Sequence, residues 1–460
     1  MPVEAPVMRT VGTRRRYPKR RLHAVPEARV LRVVMSARTG ATLVAIAGIM
    51  AALAGCGSSD PDGASAGAPA PAAAPATLLK PIPAPAGNNC PAVVLTTLGR
   101  VLQRIYNEGV SSEEVLAARD LIKRNAPLHG AVEGGDSTGA RTAAGHLLAT
   151  KHMTHLLIEH NGRVLTDVGE PAIAPLQGEL TDSGGRVIGS YLTTLFSDHT
   201  FVSEAKGITQ GQVTVRAGEA VRAGNATLGD HELHGVGTFT RGGVQYEYLA
   251  FPVAAFPAGT ATVELFRTTR SLAPVCRPTR EATVAQTLLG VTELIYKGES
   301  GPRARLQVQR VQSYRPLLEA VGAHDPEATR RAIDILLHKH VVRLRVSTGG
   351  SLLADVGGPY VLAPLRAPLR QGGRQIGEFV LSIQDDEGYK RLAERLAGVH
   401  VVISSGGKVV KNSLGPISAP IPASGPYTYR GRSYTVFTVP AEAFPSGPLT
   451  IRVLVPDPYL

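Results

Sequence analysis

The sequence predicts an α+β fold built twice in tandem, and three observations carry that expectation. A phrase recurs: residues 161–170 read NGRVLTDVGE and residues 349–358 read GGSLLADVGG, an offset of 188. The register holds elsewhere, since Gly184, Gly185, Arg186, Ile188 and Gly189 return as Gly372, Gly373, Arg374, Ile376 and Gly377, and Ala255, Phe256 and Pro257 as Ala443, Phe444 and Pro445. Within each copy, apolar residues first return at helical spacing and then alternate, so helices precede strands. A period of roughly 20 to 50 residues would mean a solenoid or propeller. An offset of 188 is instead the size of a domain.

The elements follow in order. VVLTTLGRVLQRIYNEG in the first copy and ATVAQTLLGVTELIYKG in the second carry apolar residues at three- and four-residue spacing, the pattern of an opening helix. Ser112 with Glu113 and Glu114 opens a second helix. Asp325-Pro326 in the second copy, and Ser137 at the matching place in the first, open a third. The period then becomes two. VVRLRV from Val341 and LLADV from Leu352 flank Gly349-Gly350, and Asn161-Gly162 stands at the same turn in the first copy, so each copy has a β-hairpin there. IGEFVLSIQ supplies a third strand, YKRLAERLAG a short helix, and VVISSGGKVV, YTYRGRSYTVF and LTIRVLV a closing antiparallel meander. Each unit is expected to hold N-terminal helices and a central antiparallel sheet.

Residues 1–55 read as targeting. From Met35 a short basic segment leads into an apolar run of about 14 residues, right for a signal h-region and short for a membrane span. Leu53-Ala54-Gly55-Cys56 resembles a bacterial lipobox, which implies cleavage before Cys56 and lipidation of its thiol; a plain secretory signal and an uncleaved anchor are the alternatives. Residues 1–34 read equally as a long basic n-region or an over-extended start. The formal charge of +12 sits largely here, because residues 1–55 hold ten Lys/Arg and two Glu, leaving +4 on the rest. The case for a phosphate-binding surface weakens accordingly, and nucleic acid is not an expected partner. Residues 56–88 comprise the lipidated Cys56 and an Ala/Pro/Gly-rich tether, too poor in large apolar residues to fold alone. Residues 89–272 and 273–460 are then the two units. With Cys56 acylated, Cys90 and Cys276 remain, and an even pair in an oxidising compartment is expected to form a disulfide, with two free thiols as the alternative.

The order of elements, and the phrase GGRQIGEFVLSIQDDEGY, resemble the Cache domains, extracytoplasmic PAS-like (PDC sensor-type) modules of bacteria. The resemblance covers both units and implies a pocket on one face of the sheet, where a small amino acid or carboxylate meets an arginine or aromatic hydroxyl and an aspartate. Its counterparts in unit two are Arg343 and Arg345 on the first strand, Tyr360 in the following loop, and Asp386 with Tyr389 after the third strand. An Arg fork matches a carboxylate, and an aspartate can hold an ammonium group. Unit one has His155, Leu157, Ala172, Asp198 and Phe201 at those places, which makes unit two the better binding candidate. The chain ends at Leu460 without a membrane helix or output domain after the second unit, so the expectation is a module that binds or presents a solute.

Sharper chemistry is disfavoured. His338-Lys339-His340, with His146, His152, His155 and His160, lacks a recognised zinc spacing. Asp385-Asp386-Glu387 is more simply acidic charge at a helix start than an acid/base pair. Ser405 and Lys408 match a Ser-x-x-Lys motif but border a hairpin turn rather than opening a helix. Asp167 and Asp355, each in Asp-Val-Gly, fit a turn or capping role better than a ligand site. No cofactor and no catalysis are expected. The leading expectation is a surface-anchored extracytoplasmic lipoprotein, held to the cell membrane by its lipid alone, that binds or senses a small solute. The alternative is an envelope structural, adhesion or protein-partner module with no small ligand.

Overall fold

The structure, a computed structural model, describes residues 76–460 apart from 86, 151–152, 226–231, 258, 299–300, 338–340, 418 and 460. The signal segment, Cys56, His152 and the 338–340 histidine cluster lie outside the described residues.

Among the described residues, copy one opens with α1 (Cys90–Ser111), α2 (Glu113–Lys123), α3 (Ala126–Glu133) and α4 (Ser137–Thr150). The strands β1 (His155–His160), β2 (Arg163–Gly169), β3 (Ala172–Ile173), β4 (Leu176–Thr181), β5 (Val187–Thr194) and β6 (Phe196–Ser197) follow. Then come α5 (Asp198–Thr209), β7 (Gln212–Ala217), β8 (Ala220–Ala223), β9 (Gly235–Arg241), β10 (Val244–Phe256) and β11 (Gly259–Thr268). A short helix α6 (Thr269–Leu272) and a 3-10 turn lead into copy two, with α7 (Arg280–Gly298), α8 (Pro302–Ser313), α9 (Arg315–Gly322) and α10 (Pro326–Leu337). Its strands are β12 (Arg343–Thr348), β13 (Ser351–Gly357), β14 (Leu365–Gln371) and β15 (Arg374–Ser382). After α11 (Asp386–Leu392) and a π-helical turn come β16 (His400–Ser405), β17 (Lys408–Asn412), β18 (Gly425–Tyr429), β19 (Arg432–Glu442) and β20 (Pro448–Asp457).

The fold is α+β, two tandem units that each open with helices and continue into antiparallel strands, but it differs from the expectation in two respects. The expected second helix is divided in both copies. Asn125 caps α3 by accepting from the Leu128 amide at 2.9 Å, and Pro127 and Pro316 sit where a continuous helix would need an amide donor. The strands of each copy also form two sheets rather than one central sheet. The first runs β2-β1-β5-β4 in copy one and β13-β12-β15-β14 in copy two. The second runs β8-β7-β11-β10-β9 in copy one and β17-β16-β20-β19-β18 in copy two, the same order. In copy one β3 and β6 extend the second sheet from the far end of β10, so the chain crosses between sheets at Ala172 and again at Phe196.

The recurrent glycines are explained by this arrangement. Gly169 and Gly357 take φ of 125° and 123°, and a Cβ on either would lie 2.3 Å from the carbonyl that precedes the first strand of its sheet, Thr154 O or Val342 O. At Gly189 and Gly377 a Cβ would meet a neighbouring strand carbonyl and the side chain of Val132 or Val321, so these positions let α3 and α9 rest on the sheet. The turns at Asn161-Gly162 and Gly349-Gly350 carry positive φ at both central residues, as a two-residue hairpin requires.

Three main cores result. The helices α3 and α4 cover the first sheet of copy one around Leu156, Ile158 and Leu180, and α9 and α10 cover its counterpart around Leu344, Val346 and Phe379. The third is common to both copies: α1 and α7 pack on each other and on both second sheets, joining Leu98, Leu102 and Val263 to Leu288, Leu396 and Ile451. A disulfide joins Cys90 at the start of α1 to Cys276 just before α7, with Cα atoms 5.7 Å apart. Part of the expected tether belongs to this body. Asn107 accepts from the Leu79 amide at 2.8 Å, Gln103 from the Ile82 amide at 2.9 Å, and Arg100 Nε donates to Ile82 O at 2.9 Å, so one face of α1 holds the extended chain from Ala76 onward.

Candidate functional site

The junction between the two sheets of copy two gathers most of the residues singled out in the sequence. On β12, Arg343 and Arg345 are two apart and share a face, and Arg345 stands directly opposite Asp355 on β13. Arg343 binds Asp355 through two parallel bonds, Nε to Oδ1 and Nη2 to Oδ2, both 2.9 Å. Its Nη1 donates to Pro359 O at 2.8 Å, and its guanidinium lies 4.4 Å from the Phe444 ring centroid. Arg345 makes one longer contact with Asp355, 3.4 Å, and its side chain is 35% exposed. The Asp-Val-Gly aspartate is therefore structural, as a cross-strand ion partner rather than a turn or cap, and its bidentate pairing fixes Arg343 in one orientation.

Copy one builds the same cluster with different chemistry. His155 replaces Arg343, with Nε2 2.7 Å from Asp167 Oδ1 in ion-pair contact, off the line of a directed hydrogen bond. Its Nδ1 lies 2.9 Å from Glu170 O, and its ring centroid is 4.3 Å from that of Phe256, the counterpart of Phe444. In both copies a residue on the first sheet is clamped between a neighbouring-strand carboxylate and a phenylalanine at the end of the longest strand of the second sheet, Phe256, or two residues past it, Phe444.

The loop carrying Tyr360 crosses this junction. Val361 bridges Asp385 and accepts from the Phe444 amide at 3.3 Å, while Tyr360 itself is half exposed. Asp385 caps α11 through the Gly388 amide at 2.6 Å, and Asp386 follows in the first turn, only 3% exposed. Among the described residues the Asp386 carboxyl has no hydrogen bond or ion pair; burial, reinforced by the charge of Asp385 and opposed by Lys411, raises its pKa to about 6. Lys411 lies 3.6 Å from Glu387. In copy one the matching carboxyl, Asp198, is just as buried and has a partner: Arg222 Nε lies 2.7 Å from its Oδ2. The position of Arg222 is Val410 in copy two. Tyr389 is fully buried in the shared core, edge-on to Tyr296, with its hydroxyl 3.4 Å from Thr292 O, and burial raises its pKa.

The five expected ligand residues thus divide. Arg343 and Tyr389 are held in the fold by their own partners, Arg345 shares Asp355 through one longer contact, and Tyr360 and Asp386 have no hydrogen bond or ion pair among the described residues. None of the five lines either of two described cavities, one beside the β12–β13 and β14–β15 turns and one where α1, α7 and the end of β20 meet. The second is lined by Arg100, Arg280, Glu281, Asp457 and Tyr459, which sequence reasoning missed. Their counterparts at the repeat offset differ, so no recurring motif marks them.

No family model and no curated protein matches the chain. Among solved structures, the periplasmic domain of Vibrio cholerae LuxQ aligns at 9% identity and a TM-score of 0.25, covering 40% of this chain and 98% of that one. A second structure of that domain gives 11% and 0.24, over 39% of this chain and 98% of that one. An extracellular ligand binding receptor from Desulfohalobium retbaense gives 10% and 0.24, over 39% of this chain and 40% of that one. These likenesses are too loose to bear on the function of this chain.

Proposed function

We propose that this chain is an extracytoplasmic lipoprotein, anchored through Cys56, that binds or senses a small amine-bearing solute such as an amino acid without transforming it. One observation supports the solute site above others. Copy one pairs its buried Asp198 with the internal guanidinium of Arg222, whereas copy two has Val410 there and Asp386 makes no ion pair among the described residues, with Lys411 the nearby positive charge. A solute ammonium group at Asp386 would take the place that Arg222 fills in copy one. The Cys90–Cys276 disulfide supports an oxidising compartment, and the lipobox supports the anchor.

The test is a thermal-shift panel on the full chain against amino acids, carboxylates, polyamines and divalent metals. A ligand at a hundred times its dissociation constant adds about 2.7 kcal/mol. Replacing Asp386 by asparagine and Arg345 by alanine should diminish the shift; an undiminished shift in that double variant would overturn the site. A second reading, an envelope module recognising a protein partner with no small ligand, is favoured by the engagement of Arg343 and Tyr389 within the fold. Silence across the whole panel would support it.

A further inference from the structure

A second place in the molecule carries charges that its fold does not use. Where the middle of α1, the first two turns of α7 and the end of β20 meet, a cavity of about 80 Å³ opens to the surface. That is room for several water molecules, or for a solute of comparable size. Its floor is apolar, from Val284, Ala285 and Val455. Around it stand two guanidiniums, Arg100 and Arg280, and two carboxylates, Glu281 and Asp457.

The walls are held from outside the cavity. Arg100 is tied to Ile82 O, and Tyr459 donates to Ala397 O at 3.1 Å while Arg104 lies 5.1 Å over its ring. The side chains of Arg280, Glu281 and Asp457, by contrast, make no hydrogen bond or ion pair among the described residues. Burial lowers the Arg100 pKa, Tyr459 opposes that, and the positive charges of Arg280 and Arg104 lower it further, so guanidiniums crowd here. Nor does the repeated fold need these charges. At the repeat offset copy one has Ala92 and Val93 inside α1, and Thr269 and Ser271 in α6, at the places of Arg280, Glu281, Asp457 and Tyr459.

We propose that this cavity binds a small zwitterionic α-amino acid, of glycine or alanine size, with its carboxylate between Arg100 and Arg280 and its ammonium at Glu281 and Asp457. The start of α7 adds the positive end of a helix to the carboxylate side. The apolar floor accepts no more than a small side chain, and paired opposite charges select a zwitterion over either ion alone. This site is separate from Asp386, stands on its own observations, and uses residues of both copies.

The experiment is calorimetric titration of the full chain with glycine, acetate and methylammonium. Glycine should bind at least about tenfold more tightly than either single-charge probe, and Arg280→Ala and Asp457→Asn should each weaken it about tenfold. Both residues are partnerless, so the unliganded melting temperature should stay put and confirm that the variants fold. Equal binding of acetate and glycine would overturn the zwitterion assignment. No glycine binding by the parent chain, or unchanged binding after both substitutions, would overturn the site. Loss in an Asp386→Asn variant with no loss in Arg280→Ala would also overturn it, while supporting the solute site proposed at the sheet junction.

Discussion

Asp386 makes the pH dependence of this fold calculable. Its carboxyl rises from 3.8 to about 6 on folding. Over that interval the folded chain holds a proton that the unfolded chain has released, so stability falls as pH rises from about 4 through about 6 and stays lower above it. A shift of about two units corresponds to at most about 3 kcal/mol. Asp386→Asn keeps the shape and hydrogen-bonding capacity of the neutral acid and cannot ionise. The variant should therefore match the parent near pH 4 and exceed it by up to about 3 kcal/mol at pH 8. With an unfolding entropy of roughly 2.1 cal/mol/K per residue, a folded part of about 380 residues gains about 4 °C in melting temperature. Differential scanning calorimetry at half-unit pH steps reads this directly. Parallel profiles for the two proteins would refute the claim that Asp386 is an uncompensated buried carboxyl, and with it the contrast with Asp198.

Three further outcomes follow from the geometry. Asp355→Ala strands Arg343, whose side chain is only 15% exposed, and should cost about 3 kcal/mol in chemical denaturation. Replacing both Cys90 and Cys276 by alanine opens a link between residues 186 apart and should lower unfolding free energy by up to about 5 kcal/mol, seen as a shifted denaturation midpoint. Gly357→Ala imposes a Cβ 2.3 Å from Val342 O at positive φ and should destabilise by more than about 2 kcal/mol, whereas the same change at the open turn position Gly350 should cost less.

How much was legible depended on whether a feature is local. Helix starts, hairpin turns and the α+β order follow from short-range spacing, and they were readable. The split at Asn125 was also written in the sequence, as an N-cap two residues before a proline, but the uninterrupted apolar spacing masked it. The division into two sheets was not readable, because strand pairing is settled by contacts far apart in sequence: β3 pairs with the end of β10 more than 80 residues later. The partner of Arg343 was hidden for a related reason. Asp355 was noticed for its recurrence, but that the two meet follows only from the hairpin register, with Arg345 opposite Asp355 and Arg343 one diagonal step away.

The duplication gives a physical means of separating scaffold from function without any other sequence. Where both copies keep a residue, the structure supplies a shared mechanical reason: Gly169 and Gly357 pass close to a strand carbonyl, and Asp167 and Asp355 clamp a side chain at the sheet junction. Where they part, one copy shows what the fold can do without. Copy one carries no charge at the places of Arg280 and Glu281, where Ala92 and Val93 stand in α1. It also shows a buried carboxyl, Asp198, in ion-pair contact with Arg222 of its own copy, whereas Asp386 has no ion pair among the described residues. Retained residues therefore mark the frame, and the charges that only copy two carries mark where a ligand would be recognised. On that logic the substitutions that disturb folding least, at Arg280 and Asp457, are the ones that should change binding at the cavity most.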